Sequence, residues 1–77
     1  MTLSVMVLKT NYMMEAMRQR AIEDTFEKFK TATRHYYETC YGGDEVTKLT
    51  HELENLGVDP EILIDTDLNI RDEVFGL

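Results

Sequence analysis

From Asn11 to Cys40 the apolar and small side chains recur at steps of three and four: Met14, Met17, Ala21, Ile22, Phe26, Phe29, Thr33, Tyr36 and Cys40. That is the period of a helix with one face turned inward. The intervening positions are rich in Glu, Lys, Arg, Ala, Met and Gln, and neither Gly nor Pro interrupts them. Asp24 with Lys28 and Glu27 with Lys30 stand at ion-pair spacing along such a helix. A helix over residues 12–40 is therefore expected. At about 1.5 Å per residue it would be roughly 40 Å long, more than a compact domain of this size needs.

Gly42-Gly43 after Tyr41 breaks the period and predicts a reversal of the chain. Asp44 is then the expected N-cap of a second helix over 44–56, in which Val46, Leu49, Leu53 and Leu56 fall on a narrow helix-helix seam. Gly57-Val58 reads as a Schellman-type ending, and Asp59-Pro60 as a fresh cap with proline at the first helical position. Residues 60–75 are expected to be a short helical or irregular tail. Ile62-Leu63-Ile64 suits a helical turn or a buried strand equally, Asn69 suits the cap of a last turn through Val74-Phe75, and Gly76 suits its terminator. Residues 1–11 differ in composition, because Leu3, Val5, Met6, Val7 and Leu8 favour a strand. They form an extended arm, pair with 62–70, join a partner chain or lengthen the long helix.

The fold expected is thus all-α: an antiparallel helical hairpin of a long helix, a Gly-Gly turn and a shorter helix, followed by a short helical C-terminal segment. Residues 1–77 form one small domain. A chain of 77 residues buries only about 60% of its unfolded surface. Two helices of unequal length add little to that, so a homodimer with a four-helix arrangement or an obligate complex with a larger protein is expected.

Charge changes the picture along the chain. Residues 1–37 carry six basic and four acidic side chains, and residues 38–77 carry two and eleven, so the two parts hold +2 and −9. The acidic part lacks the clustered Lys and Arg that nucleic-acid binding requires, and it repels anionic lipid. No direct nucleic acid and no membrane partner is expected; a protein partner with a basic surface is favoured by complementary charge. No apolar run approaches the roughly 20 residues that span a bilayer. Cys40 has no second cysteine to pair with and no secretory leader is recognisable, which makes the cytoplasm the expected compartment.

The candidate chemistry is sparse. Asp65-Thr66-Asp67-Leu68-Asn69 reproduces the first, third and fifth positions of a calcium loop, but Ile70 stands where the turn glycine belongs and Gly76 where the bidentate Glu belongs. A solvated acidic loop is expected there, with loose Mg²⁺ or Ca²⁺ association through Asp65, Asp67 and Asp72 as the alternative. His35 and His51 flank the turn at similar distances, with Glu38 and Glu52 nearby, yet neither an H-x-x-x-H nor a C-x-x-C spacing is present. No metal and no cofactor is assigned. Cys40 is expected to be buried or at a boundary, with an intersubunit disulfide as the alternative. No nucleophile triad, phosphate cradle or zinc-protease motif occurs, and no catalytic residue is assigned.

The run Glu45-Val46-Thr47-Lys48-Leu49-Thr50-His51-Glu52-Leu53-Glu54-Asn55-Leu56, after a glycine turn and a longer helix, resembles the short two-helix sporulation phosphatases that act on response-regulator aspartyl phosphates. Their Ser-Gln-Glu-Leu-Asp signature aligns with Thr50-His51-Glu52-Leu53-Glu54, which keeps Glu and Leu and departs at the other three positions. The resemblance implies Mg²⁺-dependent phosphatase activity with Glu54 in the role of the family's Asp.

The residues themselves point to a non-enzymatic protein-binding regulator, an adaptor or inhibitor, with the acidic half also suited to imitating a nucleic-acid backbone. A structural subunit of a larger assembly is a further alternative. Met adapts to irregular surfaces and aromatic side chains carry much of the energy at interfaces, which makes Met17, Phe26, Phe29, Tyr36 and Tyr37 the contact candidates. Asp59, Asp65 and Asp67 are the acidic candidates for selectivity.

Overall fold

The computed structural model describes residues 2–77, with side chains from residue 14 onward. Three helices account for the described chain: α1 (Thr2–Thr39), α2 (Gly43–Asn55) and α3 (Pro60–Phe75). The described residues are all-α. The molecule measures 58 × 21 × 15 Å, and α1, 38 residues at about 1.5 Å each, sets the long dimension. Its radius of gyration is 16.6 Å, against about 11.5 Å for a globular chain of this length.

At both ends of the chain the structure takes one of the expected alternatives. The backbone of residues 2–11 continues α1 and is not an extended arm. With no Gly or Pro before Gly42, nothing stops propagation, and the strand preference of Val and Leu is a weak prior beside an adjoining helix. The C-terminal segment is the helical alternative over the expected 60–75, 16 continuous residues and longer than α2. Asn69 lies in its interior and caps nothing.

The connections follow from local chemistry. Cys40 ends α1 in the left-handed region, at φ 64°, with its N–H donating to Tyr36 O at 2.7 Å. Gly42, at φ 89°, is the N-cap of α2, and its carbonyl accepts from Glu45 N and Val46 N. The expected cap, Asp44, instead lies with Glu45 in the first turn, where carboxylates complement the positive end of the helix. At the far end of α2, Val58 N donates to Leu53 O and Gly57 N to Glu54 O, both at 3.0 Å, which is the Schellman pattern. Gly57 takes φ 96°, and Val58 packs against the core as the motif requires. Asp59 caps α3 by accepting from Glu61 N at 2.9 Å, and Pro60 occupies the first turn.

The core is small. Phe29, Leu49, Leu53 and Leu63 form a buried cluster, one or two residues from each helix, with Ile22, Phe26, Ala32, Val46 and Val58 half-buried around it. Ile70 adds a further buried position on α3. Both shorter helices pack on α1. Gly43 lies against the Tyr36 ring and Gly57 against Arg18, whose guanidinium donates to Leu56 O at 2.7 Å. α2 thus stops beside Arg18, and all the described side chains before it, residues 14–17, are exposed.

Candidate protein-docking surfaces

The residues expected to contact a partner divide into three groups. Met17 and Tyr36 are exposed, Met17 to 70%, and Met14 beside it to 63%. Phe26 is half-buried, with its ring 6.0 Å from that of Phe29 and Lys30 Nζ 5.5 Å above it. Phe29 is no anchor: at 1% exposure it is the centre of the core, because it stands opposite Leu49, Leu53 and Leu63 on a stripe of α1 that both shorter helices cover. Glu27 and Lys30, expected as an ion pair, form one at 2.7 Å.

Tyr37 and Asp67 are brought together, and they are used inside the chain. The Tyr37 hydroxyl donates to Asp67 Oδ1, and its ring meets that of Phe75 edge-on at 5.9 Å. Arg34 pairs with Glu73 at 2.6 Å a turn away, so one end of α1 is tied to α3 by two polar links. The hydrogen bond to Asp67, with partial burial behind it, pushes the Tyr37 hydroxyl up to about 12. Asp59 is occupied as a cap, which leaves Asp65 as the expected acidic contact that is exposed and makes no hydrogen bond or ion pair among the described residues.

The expected acidic loop at 65–69 is helical, a correction with a chemical consequence. Along α3, successive members of Asp65, Asp67 and Asn69 are rotated by about 200°, so their oxygens diverge where a calcium loop would converge them. Among the described residues no group of three or more His, Cys, Asp or Glu side chains is placed to hold a metal ion. His35 lies over Gly42 at the edge of an open groove of about 510 Å³ between α1 and α2, with Ala32, Glu45 and Leu49 beneath it. His51 is exposed elsewhere on α2 and does not line that groove. Cys40, expected at least partly buried, is exposed at the end of α1, just beyond the part of the helix that the core covers.

The five positions aligned with the phosphatase signature are split by the helix. Leu53 is fully buried, Thr50 donates its hydroxyl to Val46 O at 2.8 Å, and His51, Glu52 and Glu54 are exposed. That resemblance implies a two-helix protein, whereas a third helix closes over Leu53 and Phe29 here.

One surface was missed. Ile64, Leu68 and Phe75 are 57%, 40% and 56% exposed on α3, at steps of four and seven residues. Their helical spacing is visible in the sequence, but it signifies a face only once 60–75 is known to be one unbroken helix.

No family model matches the chain, and neither a curated protein nor a solved structure does. Among the described residues no helix is long and apolar enough to cross a membrane.

Proposed function

We propose that this chain is a small acidic, non-enzymatic protein-binding regulator, an adaptor or inhibitor working in the cytoplasm. Its contact area is the exposed Met and aromatic side of α1, and its selectivity comes from the acidic part that follows. The observation that supports this reading best is the exposure of Met14, Met17 and Tyr36 along a helix whose first part reaches past both of its partners. Large apolar side chains grouped at helical spacing and left in water mark interaction surfaces.

The same reading makes α1 and α2 an antiparallel hairpin that pairs with a second copy through the Met14–Met17 side of α1, or with a larger protein in place of that copy. Acidic α2 and α3 then favour a basic partner surface and weaken in salt. Light scattering on the eluting protein at low micromolar concentration, together with affinity purification from the native cell at low and high salt, tests it. The reading expects either a mass of about twice 9.0 kDa that falls to one chain in Met17→Glu, or salt-sensitive co-elution of a stoichiometric partner. Where DNA competes that partner away, the nucleic-acid-mimic form of the reading is the one that holds. A stable monomer that retains no partner at either salt contradicts it.

A further inference from the structure

The helix α3 carries two apolar faces, and only one is buried within the chain. Leu63 and Ile70 are buried, on the line that meets α1. Ile64, Leu68 and Phe75, with Arg71 between the last two, repeat at steps of four, three and four and lie about 120° round the helix from that line, at about 100° per residue. This is the spacing with which one helix packs along another. At its C-terminal end the strip runs on into the aromatic rings of α1, since Phe75 meets Tyr37 and Tyr37 meets Tyr36 at 5.4 Å.

The strip has an electrostatic border. On one side, in helical order, stand the carboxylates of Glu61, Asp65 and Asp72, and within α3 Arg71, 3.5 Å from Asp72, is the only base, which leaves Glu61 and Asp65 exposed without a partner in the helix. A second copy is a poor occupant. Antiparallel packing of two α3 helices about a two-fold axis sets the same border of each against the other, carboxylates facing carboxylates, in a chain that already carries −7. A helix with the same apolar period and Lys or Arg along its edge meets the strip without that repulsion.

We infer that the outer face of α3, built on Ile64, Leu68 and Phe75, is a docking site for a basic amphipathic helix of another protein. The inference rests on the protein-binding reading and specifies the partner's chemistry at a second surface, separate from the Met side of α1. Leu68, at the centre of the strip, carries the apolar contact, and Glu61 and Asp65 set its sign.

Two labelled 18-residue helical probe peptides test it, each with Leu at the same four-three-four spacing, one flanked by Lys and the other by Glu. Fluorescence anisotropy against the full chain is expected to show the Lys peptide binding at least tenfold tighter than the Glu peptide. The deciding variant is Leu68→Glu. Attraction by net charge alone would grow with the added carboxylate, whereas docking on the strip loses its central contact, so a tenfold or greater loss of affinity is expected. Gln19→Glu, which adds the same charge at an exposed position of α1 outside both surfaces, is expected to leave the peptide's affinity within twofold. Unchanged or tighter binding to Leu68→Glu overturns the inference, as does equal binding of the two peptides or binding of neither. A dimer of the unaltered chain that Leu68→Glu dissolves also overturns it, by giving the strip to a second copy. Because the protein-binding reading is judged by α1-dependent dimerisation or native co-elution, it survives or fails independently of the peptide result.

Discussion

α2 and α3 pack against the same helix but use their apolar residues differently. α2 and its C-cap place Val46, Leu49, Leu53 and Leu56 on one seam, bury Leu49 and Leu53 and the other two partly, and leave only polar side chains outside. α3 buries Leu63 and Ile70 and keeps Ile64, Leu68 and Phe75 in water on another face. The first is a helix whose composition is accounted for by folding. The second holds more apolar surface than folding consumes, and that excess points to a partner. The same contrast divides α1, where Phe29 is covered and Met14 and Met17 are not.

The sharpest way to break the comparison is on the buried side. Leu53 is 0% exposed, and Leu53→Ala is expected to lower unfolding stability by about 2–5 kcal/mol in urea. A chain of this length holds only about 4–12 kcal/mol in total, so a partly unfolded population should be visible by circular dichroism. A loss below about 1 kcal/mol would mean that the α2 seam is not what holds the chain together.

Smaller effects sharpen it. Thr33 is fully buried on α1 and its hydroxyl has no hydrogen-bond partner among the described residues. Thr33→Val keeps the shape and removes a desolvated polar atom, so stability is expected to rise by about 1 kcal/mol; a fall of that size would show that the hydroxyl is satisfied after all. Cys40 holds a left-handed conformation that costs a residue with a Cβ about 1 kcal/mol, and Cys40→Gly is expected to raise the melting temperature by a few degrees.

The Tyr37–Asp67 link gives a pH signature. The folded Tyr37 hydroxyl titrates near 12 and the unfolded one near 10. The neutral phenol is the form the fold favours, so its contribution is whole below pH 10 and is lost as pH rises from 10 to 12. Tyr37→Phe is expected to flatten the stability profile in that window. Parallel profiles for the two proteins would show that the bond contributes nothing.

Much of the fold was legible because its boundaries are written in strong local chemistry. Gly42-Gly43, Gly57-Val58 and Asp59-Pro60 have few backbone options, and the structure uses each of them as a helix boundary. The limits of α1 and α3 were harder to read. Val5 and Val7 suggested a strand, and the aspartates at 65 and 67 with Asn69 suggested a loop, since these residues compete with the backbone in short segments but are carried along inside a helix that packing already stabilises. The candidate surface suffered from a different ambiguity. Phe26 and Phe29 are three residues apart on one stripe, and the positions of α2 and α3 determine that Phe29 is enclosed and Phe26 left at its edge. Likewise Tyr37 and Asp67, thirty residues apart, gave no sign in the sequence that they would satisfy each other.

The central claim is that Leu68, at the centre of the outer strip of α3, takes no part in holding the free chain together. Equilibrium urea unfolding of Leu68→Glu tests it directly. The account predicts a free energy of unfolding within about 1 kcal/mol of the unaltered chain at the same slope, as for an exposed position. A loss of 3 kcal/mol or more would place Leu68 in the working core and contradict it.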